Sequence, residues 1–304
     1  MRAALGNSAT FSCCAVPKRL THGSANTPKE KLWQHKLSPQ KRFKSAMEQY
    51  YSSRSTTYDQ EGNFHPKMVQ LMADLADLRK GHRCLDLCTG TGQLADCVRQ
   101  QIGPEGSLVA VDFSSSMLDV AAHKLSFDNV TLLKSDVEEL PKSLGLFDRI
   151  TCASGLVLLR DIPQALRVWR DLLAPHGLLV LDGPSDDAFI PGTLVATAAS
   201  EMGIHWPIDQ VLGNQQRAVA LLDTAGLQLV SFREQAHGSN VTLSKLEKSW
   251  ETITPFVNGA IPPPMRKSLR KLYMEKATEY MNGQGEVWND NVMNFVVATH
   301  KGSL

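Results

Sequence analysis

The chain has 304 residues, 42% of them hydrophobic, and its 32 basic and 31 acidic residues leave a formal net charge of +1. That length buries one large core, and the interspersed charges offer neither a basic face for nucleic acid nor a cationic block for anionic lipid. No apolar run reaches the roughly 18 residues of a membrane-spanning helix. Six cysteines, at 13, 14, 84, 88, 97 and 152, match no zinc spacing and, without a secretory signal, read as reduced thiols.

From Met1 to Lys29 there is no Asp or Glu, while Arg2, Lys18 and Arg19 are scattered among serines, threonines and small residues. Such a stretch is a tail or an organellar transit peptide, plastid or mitochondrial, and residues 1–44 are set aside as one of these; otherwise the chain is expected in the cytoplasm. Ser45 to Tyr58 reads as a helix. His65-Pro66 opens a second, whose Met68, Leu71, Met72, Leu75 and Leu78 keep helical spacing until Gly81 stops it.

The segment Cys84-Leu85-Asp86-Leu87-Cys88-Thr89-Gly90-Thr91-Gly92-Gln93-Leu94-Ala95 then ends an apolar strand on a carboxylate and turns through two glycines into a helix. Leu108 to Asp112 is a second strand with an acid at its end, followed by Ser114 to Ser116 as capping candidates and a helix from Met117 to Leu125. Val130 to Leu133 is a third strand leading to Asp136, Phe147 to Ser154 a fourth. A helix from Pro163 to Leu173 precedes a turn and a fifth strand ending at Asp182. Strands alternating with helices predict a parallel sheet covered on both faces, with ligands at the carboxyl ends of the strands.

After Asp182, Ala188 to Val211 reads as helix with breaks at Pro191 and Pro207, Asn214 to Ala225 as helix closed by Gly226, and Leu227 to Phe232 and Val292 to Ala298 as the last two strands. Between those strands, Val241 to Gln284 is rich in helix formers and interrupted by Pro255 and Pro262-Pro263-Pro264. An insertion here hangs over the strand ends as a lid or acceptor pocket, which Trp250, Phe256, Tyr273 and Tyr280 either line or simply pack onto the core.

The glycine turn admits two cofactors. Gly90 to Ala95 fits the dinucleotide fingerprint, with Asp112 near the offset of a ribose-binding acid. A pyrophosphate beside Asp86 would be repelled, however, whereas the ammonium of S-adenosylmethionine would receive a charge-assisted hydrogen bond. The electrostatics therefore favour the sulfonium cofactor; an NAD(P)-dependent oxidoreductase and a non-catalytic cofactor-binding scaffold are the alternatives.

From about Tyr50 to Gly183, and again in the last strand, the chain resembles the class I S-adenosylmethionine-dependent methyltransferases, in particular the small-molecule branch that includes ubiquinone and menaquinone biosynthesis (type 11) enzymes. The resemblance implies a Rossmann-like, doubly wound α/β fold over residues 45–304. Its sheet would have seven strands, mostly parallel with the last antiparallel, and helical cap insertions would span about 184–212 and 238–290. It places Asp86, Thr89, Gly90 and Gly92 at the methionine end, Asp112 and Phe113 at the ribose, Met117 on one adenine face and Asp136 with Val137 at the adenine edge. The loop after Ala153, with Ser154, would pass under the sulfonium, and Tyr58 would fold over the cofactor. Two residues depart from the family pattern: Cys88 stands where a first glycine is frequent, and His176 interrupts a Pro-Gly-Gly turn.

No metal site is expected. Ala153-Ser154-Gly155-Leu156 is not the Asn/Asp-Pro-Pro-aromatic loop of DNA and glutamine methyltransferases, and with Leu156 to Leu159 it points to a small, partly apolar acceptor. Methyl transfer needs alignment more than a base, so no catalytic residue is assigned; His65, His205 and His237 are candidate bases.

Overall fold

The computed structural model describes residues 39–60, 65–186, 188, 190–204, 212–236, 238–289 and 291–303. Five parallel strands form its frame: β1 (Arg83–Leu87), β2 (Ser107–Asp112), β3 (Val130–Lys134), β4 (Phe147–Cys152) and β5 (Leu173–Pro184). Two further strands complete the sheet, β6 (Leu227–Gln235) and β9 (Met293–His300), in the order β3-β2-β1-β4-β5-β9-β6. β9 runs antiparallel to both of its neighbours. The expected sheet is therefore present, and its order reverses between β1 and β4, where a crevice opens beyond the strand ends.

Alternation along β1 explains how the layers form. Leu85 and Leu87 face one apolar cluster with Phe147, Leu166 and Trp169, while Cys84 faces the other with Met72, Leu94, Val98 and Ile102. The first layer carries α5 (Ile162–Asp171) and α7 (Gln215–Thr224), the second α2 (His65–Leu75) and α3 (Gln93–Ile102). Both α5 and α7 start on side-chain caps, Asp161 accepting from Gln164 N–H and Asn214 from Arg217 N–H. Arg149, buried on β4, donates to the backbone carbonyls of Ala76 and Asp77 and so ties the end of α2 to the sheet.

Several boundaries differ from expectation. The first helix, α1 (Pro39–Arg54), begins six residues ahead of Ser45, and α2 stops at Leu75 rather than Gly81, since Asp77 turns left-handed at φ +44°. Strand β5 begins at Leu173, with register jumping from the pair Phe147 and Leu173 to Arg149 and Leu178, so His176 lies in a bulge inside the strand.

Beyond the sheet lies a cap made of α6 (Ile190–Glu201), α8 (Leu243–Ala260) and α9 (Pro263–Glu279), with the hairpin β7 (Ser239–Thr242) and β8 (Glu286–Asn289). That hairpin was not expected, and Val241 belongs to it rather than to a helix. Pro191 and Pro263 sit in the first turns of α6 and α9, where a missing N–H costs nothing; α8 passes straight through position 255, and Pro207 lies outside the described residues. The cap has its own apolar cluster, in which Leu194, Ala198, Leu246, Ile253, Leu269 and Tyr273 are buried. Helix α1 packs on α8 and on α4 (Ser115–Lys124).

Candidate active site

Three backbone turns into left-handed space shape the mouth of the crevice: Cys88 at φ +53°, Gly90 at +54° and Gly92 at +82°. Cys88, the departure from the glycine pattern, thus adopts the conformation a glycine would take there at lower cost. Nothing lies within 4 Å of the point where a Cβ would stand on Gly90, so its backbone opens onto free space. Gly92 does a different job, because a Cβ there would lie 2.9 Å from Leu125 and 3.2 Å from Ala121; its missing side chain lets α4 pack close against the start of α3.

Asp86, at 1% exposure, accepts hydrogen bonds of 2.6 Å from both Thr89 Oγ1 and Thr151 Oγ1. Burial pushes its carboxyl up to about 6, the two threonines oppose that rise, and the charge of Asp112 adds to it. Asp112 braces the turn: one oxygen accepts Gly90 N–H at 2.8 Å, the other Ser114 N–H at 2.9 Å. Burial raises Asp112 too, against those backbone bonds. Ser114 in turn caps α4 by accepting Met117 N–H.

The crevice has three lobes, each lined in part by Cys88. Asp86, Thr89, Gly90 and Thr91 line the first; Asp112, Phe113, Met117 and Ser154 the second; Asp136, Val137, Leu158 and Leu159 the third, with Lys44 and Met47 from α1. Tyr58 lines the first two. The expected site residues therefore converge on one cleft, Gly92 excepted. Tyr58 owes its place to Asp59, which accepts from Thr91 Oγ1, from Gln93 at 2.7 Å and from Lys124, clasping the 3-10 turn Tyr58–Gln60 onto the glycine loop.

Under the cleft, Ser154 is left-handed at φ +54° and its N–H donates to Asp182 Oδ1. Asp182 is fully buried, and that burial pushes its carboxyl up to about 7 against the bonds from Ser154. Gly155 follows between two sulfurs, with its would-be Cβ 2.7 Å from both Cys88 Sγ and Cys152 Sγ. The Cys88 thiol is hydrogen-bonded to Cys152 and buried, and both effects hold it well above its usual range. Lys44, Asp59, Thr151 and Asp182 were not anticipated as site residues; Asp182 alone carried a signal, as an acid closing a strand.

Other candidates fall elsewhere. His205 and His237 lie outside the described residues, and His65 opens α2. Trp250 and Tyr273 pack on each other at 5.1 Å between ring centroids, and Tyr273 is wholly buried with its hydroxyl on Leu246 O, so both build the cap core; Tyr280 is 53% exposed. No group of three or more metal-binding side chains occurs among the described residues.

Residues 84–177, the span from β1 into β5 that carries the glycine turn and all the strand-end acids but Asp182, match the family model described as a methyltransferase domain. The demethylmenaquinone methyltransferase of Staphylococcus aureus (strain JH9) is 32% identical over 151 residues, which cover 47% of this chain and 62% of that protein, so the likeness spans less than two thirds of the relative's length. Both likenesses are to methyltransferases, and both centre on the strands that carry the glycine turn. Solved structures share this fold at low identity. A Bacillus halodurans C-125 protein superposes with TM-score 0.53 at 16% identity, covering 77% of this chain and 98% of its own. A Haemonchus contortus phosphoethanolamine N-methyltransferase, in complex with phosphomonomethylethanolamine and S-adenosylhomocysteine, gives 0.51 at 17%, covering 88% and 61%. The cofactor of the methyltransferase family that residues 84–177 match is S-adenosylmethionine. The chemistry of the cleft suits it: a buried carboxylate at the glycine turn, open backbone at Gly90, and an apolar slot with an acidic rim.

Proposed function

We propose that the chain transfers the methyl group of S-adenosylmethionine to a small, partly apolar acceptor. Asp86 carries the reading: a buried carboxylate at the glycine turn, already oriented by Thr89 and Thr151, has lone pairs left for an ammonium and would repel a pyrophosphate. When bound, the cofactor supplies a methyl group on a positive sulfur. The protein's part is placement. Asp112 and Phe113 would flank the ribose, Met117 the base, Asp136 and Val137 its edge, while Tyr58 and Ser154 close over and under the reacting end and exclude water.

A small acceptor is supported by the near-balance of basic and acidic residues, by the apolar 3-10 turn Leu156–Leu158 beside Ser154, and by the relative named for demethylmenaquinone. No helix among the described residues is long and apolar enough to cross a membrane. The acid-free, basic composition of residues 1–29 supports an organellar destination, checked by the location of a fluorescent fusion to the full chain.

Calorimetry with S-adenosylhomocysteine and NADH tests the cofactor. Binding of S-adenosylhomocysteine is expected, weakened about tenfold or more by Asp86→Ala, in line with a charge-assisted bond worth about 1.5–3 kcal/mol. Affinity is also expected to drop below pH about 6, where Asp86 takes up its proton. Retention of NADH alone overturns the proposal. Turnover is then sought with a panel of small acceptors; tight cofactor binding with no turnover on any of them favours a scaffold.

A further inference from the structure

Of the four cysteines among the described residues, Cys84 and Cys97 belong to the apolar layer that carries α2 and α3, whereas Cys88 and Cys152 share the opposite one. Backbone geometry brings the second pair together. Cys152, the last residue of β4, lies in register with Leu87, the last residue of β1, and both side chains enter the same layer. A strand continued through position 88 would send that side chain to the other face. Instead the left-handed turn at Cys88 returns its sulfur to the side of Cys152, to which its thiol is hydrogen-bonded. Gly155 leaves the two sulfurs room, since a Cβ on it would stand 2.7 Å from each.

The two thiols differ in access. Cys152 is fully buried between β1 and β5, while Cys88 lines each lobe of the cleft. Neighbouring strands lie about 4.8 Å apart and one residue adds about 3.3 Å along them, which sets the two Cα atoms roughly 6 Å apart, inside the range of about 4.4–6.8 Å that a disulfide spans. Methyl transfer as read above gives neither thiol a part.

We infer that Cys88 and Cys152 form a reversible dithiol–disulfide couple that distorts the cofactor cleft when a small peroxide oxidises it. The Cys88 sulfur attacks one oxygen of hydrogen peroxide and the O–O bond breaks; Cys88 then carries a sulfenic hydroxyl, and the other oxygen leaves with the thiol proton as water. The Cys152 sulfur displaces that hydroxyl, which departs with the Cys152 proton as a second water. Two thiols and one peroxide thus become one disulfide and two waters, the sulfurs giving up two electrons and the peroxide receiving them. The hydrogen bond to Cys152, burial, and the charges of Asp112 and Asp86 hold Cys88 protonated, so the couple responds slowly, to sustained rather than fleeting peroxide.

Bridging moves the turn. A disulfide holds its sulfurs about 2.05 Å apart, much closer than two hydrogen-bonded thiols stand. Cys152 is pinned by strands on both sides, so the displacement falls on Cys88 and the residues after it, where Thr89 N–H reaches Val111 O at 2.9 Å and Gly90 N–H reaches Asp112 at 2.8 Å. The effect on ligand binding rests on the adenosyl-binding reading above. By linkage, the factor that the bridge removes from ligand affinity is the factor by which bound ligand opposes the bridge.

The test treats the full chain with hydrogen peroxide and follows intact mass, cysteine-linked peptides, and S-adenosylhomocysteine affinity by calorimetry. A loss of two hydrogens is expected, mapped to a peptide pair joining Cys88 to Cys152, with affinity reduced about tenfold or more and restored by dithiothreitol. In thiol redox buffers, saturating S-adenosylhomocysteine is expected to raise the midpoint potential of that bridge by about 30 mV for a tenfold coupling. Cys88→Gly, which suits the left-handed turn, is expected to show the same affinity before and after peroxide, and Cys152→Ala to stop at a sulfenic acid on Cys88 that dimedone captures. Absence of a link between positions 88 and 152 overturns the inference, whatever happens at the other cysteines. So does a mapped bridge that leaves both affinity and midpoint unchanged. Failure of the cofactor reading looks different: the reduced chain then binds no S-adenosylhomocysteine although the mapped bridge still forms, which upholds the couple and overturns its control of a cofactor.

Discussion

At the ends of β1, β2 and β5 three carboxylates, Asp86, Asp112 and Asp182, are buried at 1%, 5% and 0% exposure, each held by hydroxyl or backbone N–H donors from the adjoining loops. The cap is made of other material. Among its described residues the buried side chains of α6, α8 and α9 are mainly apolar, and the Tyr273 hydroxyl is returned to Leu246 O. One region spends folding free energy to keep charge out of water, and the other recovers it by packing. A protein arranged in this way can be damaged in either half with different symptoms, and that separation can be measured.

The largest effect is expected from the cap. Tyr273→Ala removes a fully buried ring and its contact with Trp250, and should lower unfolding free energy by about 3–5 kcal/mol in urea titration while changing S-adenosylhomocysteine affinity far less. An equal loss of affinity would show that cap and cleft are one cooperative unit.

A smaller effect, visible as a pH dependence, is expected in the cleft. Asp182 keeps its proton up to about pH 7 in the folded chain, whereas an aspartate in the unfolded chain releases it near pH 3.8. The folded state therefore binds more protons across that window, and stability falls as pH rises through it. Asp86 adds the same slope up to about pH 6. Asp182→Asn retains an acceptor for Ser154 N–H without the charge, so its urea midpoint should vary less between pH 4.5 and 7.5 than that of the unaltered chain. One proton released on unfolding corresponds to a slope of about 1.4 kcal/mol per pH step. Parallel pH profiles for the two proteins would remove Asp182 from the comparison. The smallest change is expected from Arg270→Ala, which breaks an exposed ion pair with Glu247 between α9 and α8 and should cost about 0.5 kcal/mol or less.

How far these regions could be read in advance follows from the same contrast. The glycine turn and the strand-end acids were legible because each depends on its own few residues: a strand, a carboxylate, a backbone conformation. Gly92 was legible as a glycine but not in its reason, which lies in Leu125 of the next helix. Lys44 was invisible, since it meets Asp136 across 92 positions of sequence and α1 shows no motif. In the cap, helical spacing announced apolar faces without saying what they face, so Trp250 and Tyr273 were equally plausible as pocket walls and as core. Pro255 looked like a break because a local rule was applied where tertiary packing decides.

Strand β9 has a consequence for biosynthesis. It slots between β5 and β6, yet about a hundred residues separate its start from the end of β5. At ribosomal speeds of about 5–20 residues per second, roughly 5–20 seconds pass with the outer rim of β5 awaiting its partner. During that interval the nascent chain carries a bare, apolar strand margin of the kind that recruits stray β-segments, so the newborn protein is most vulnerable to aggregation until β9 emerges.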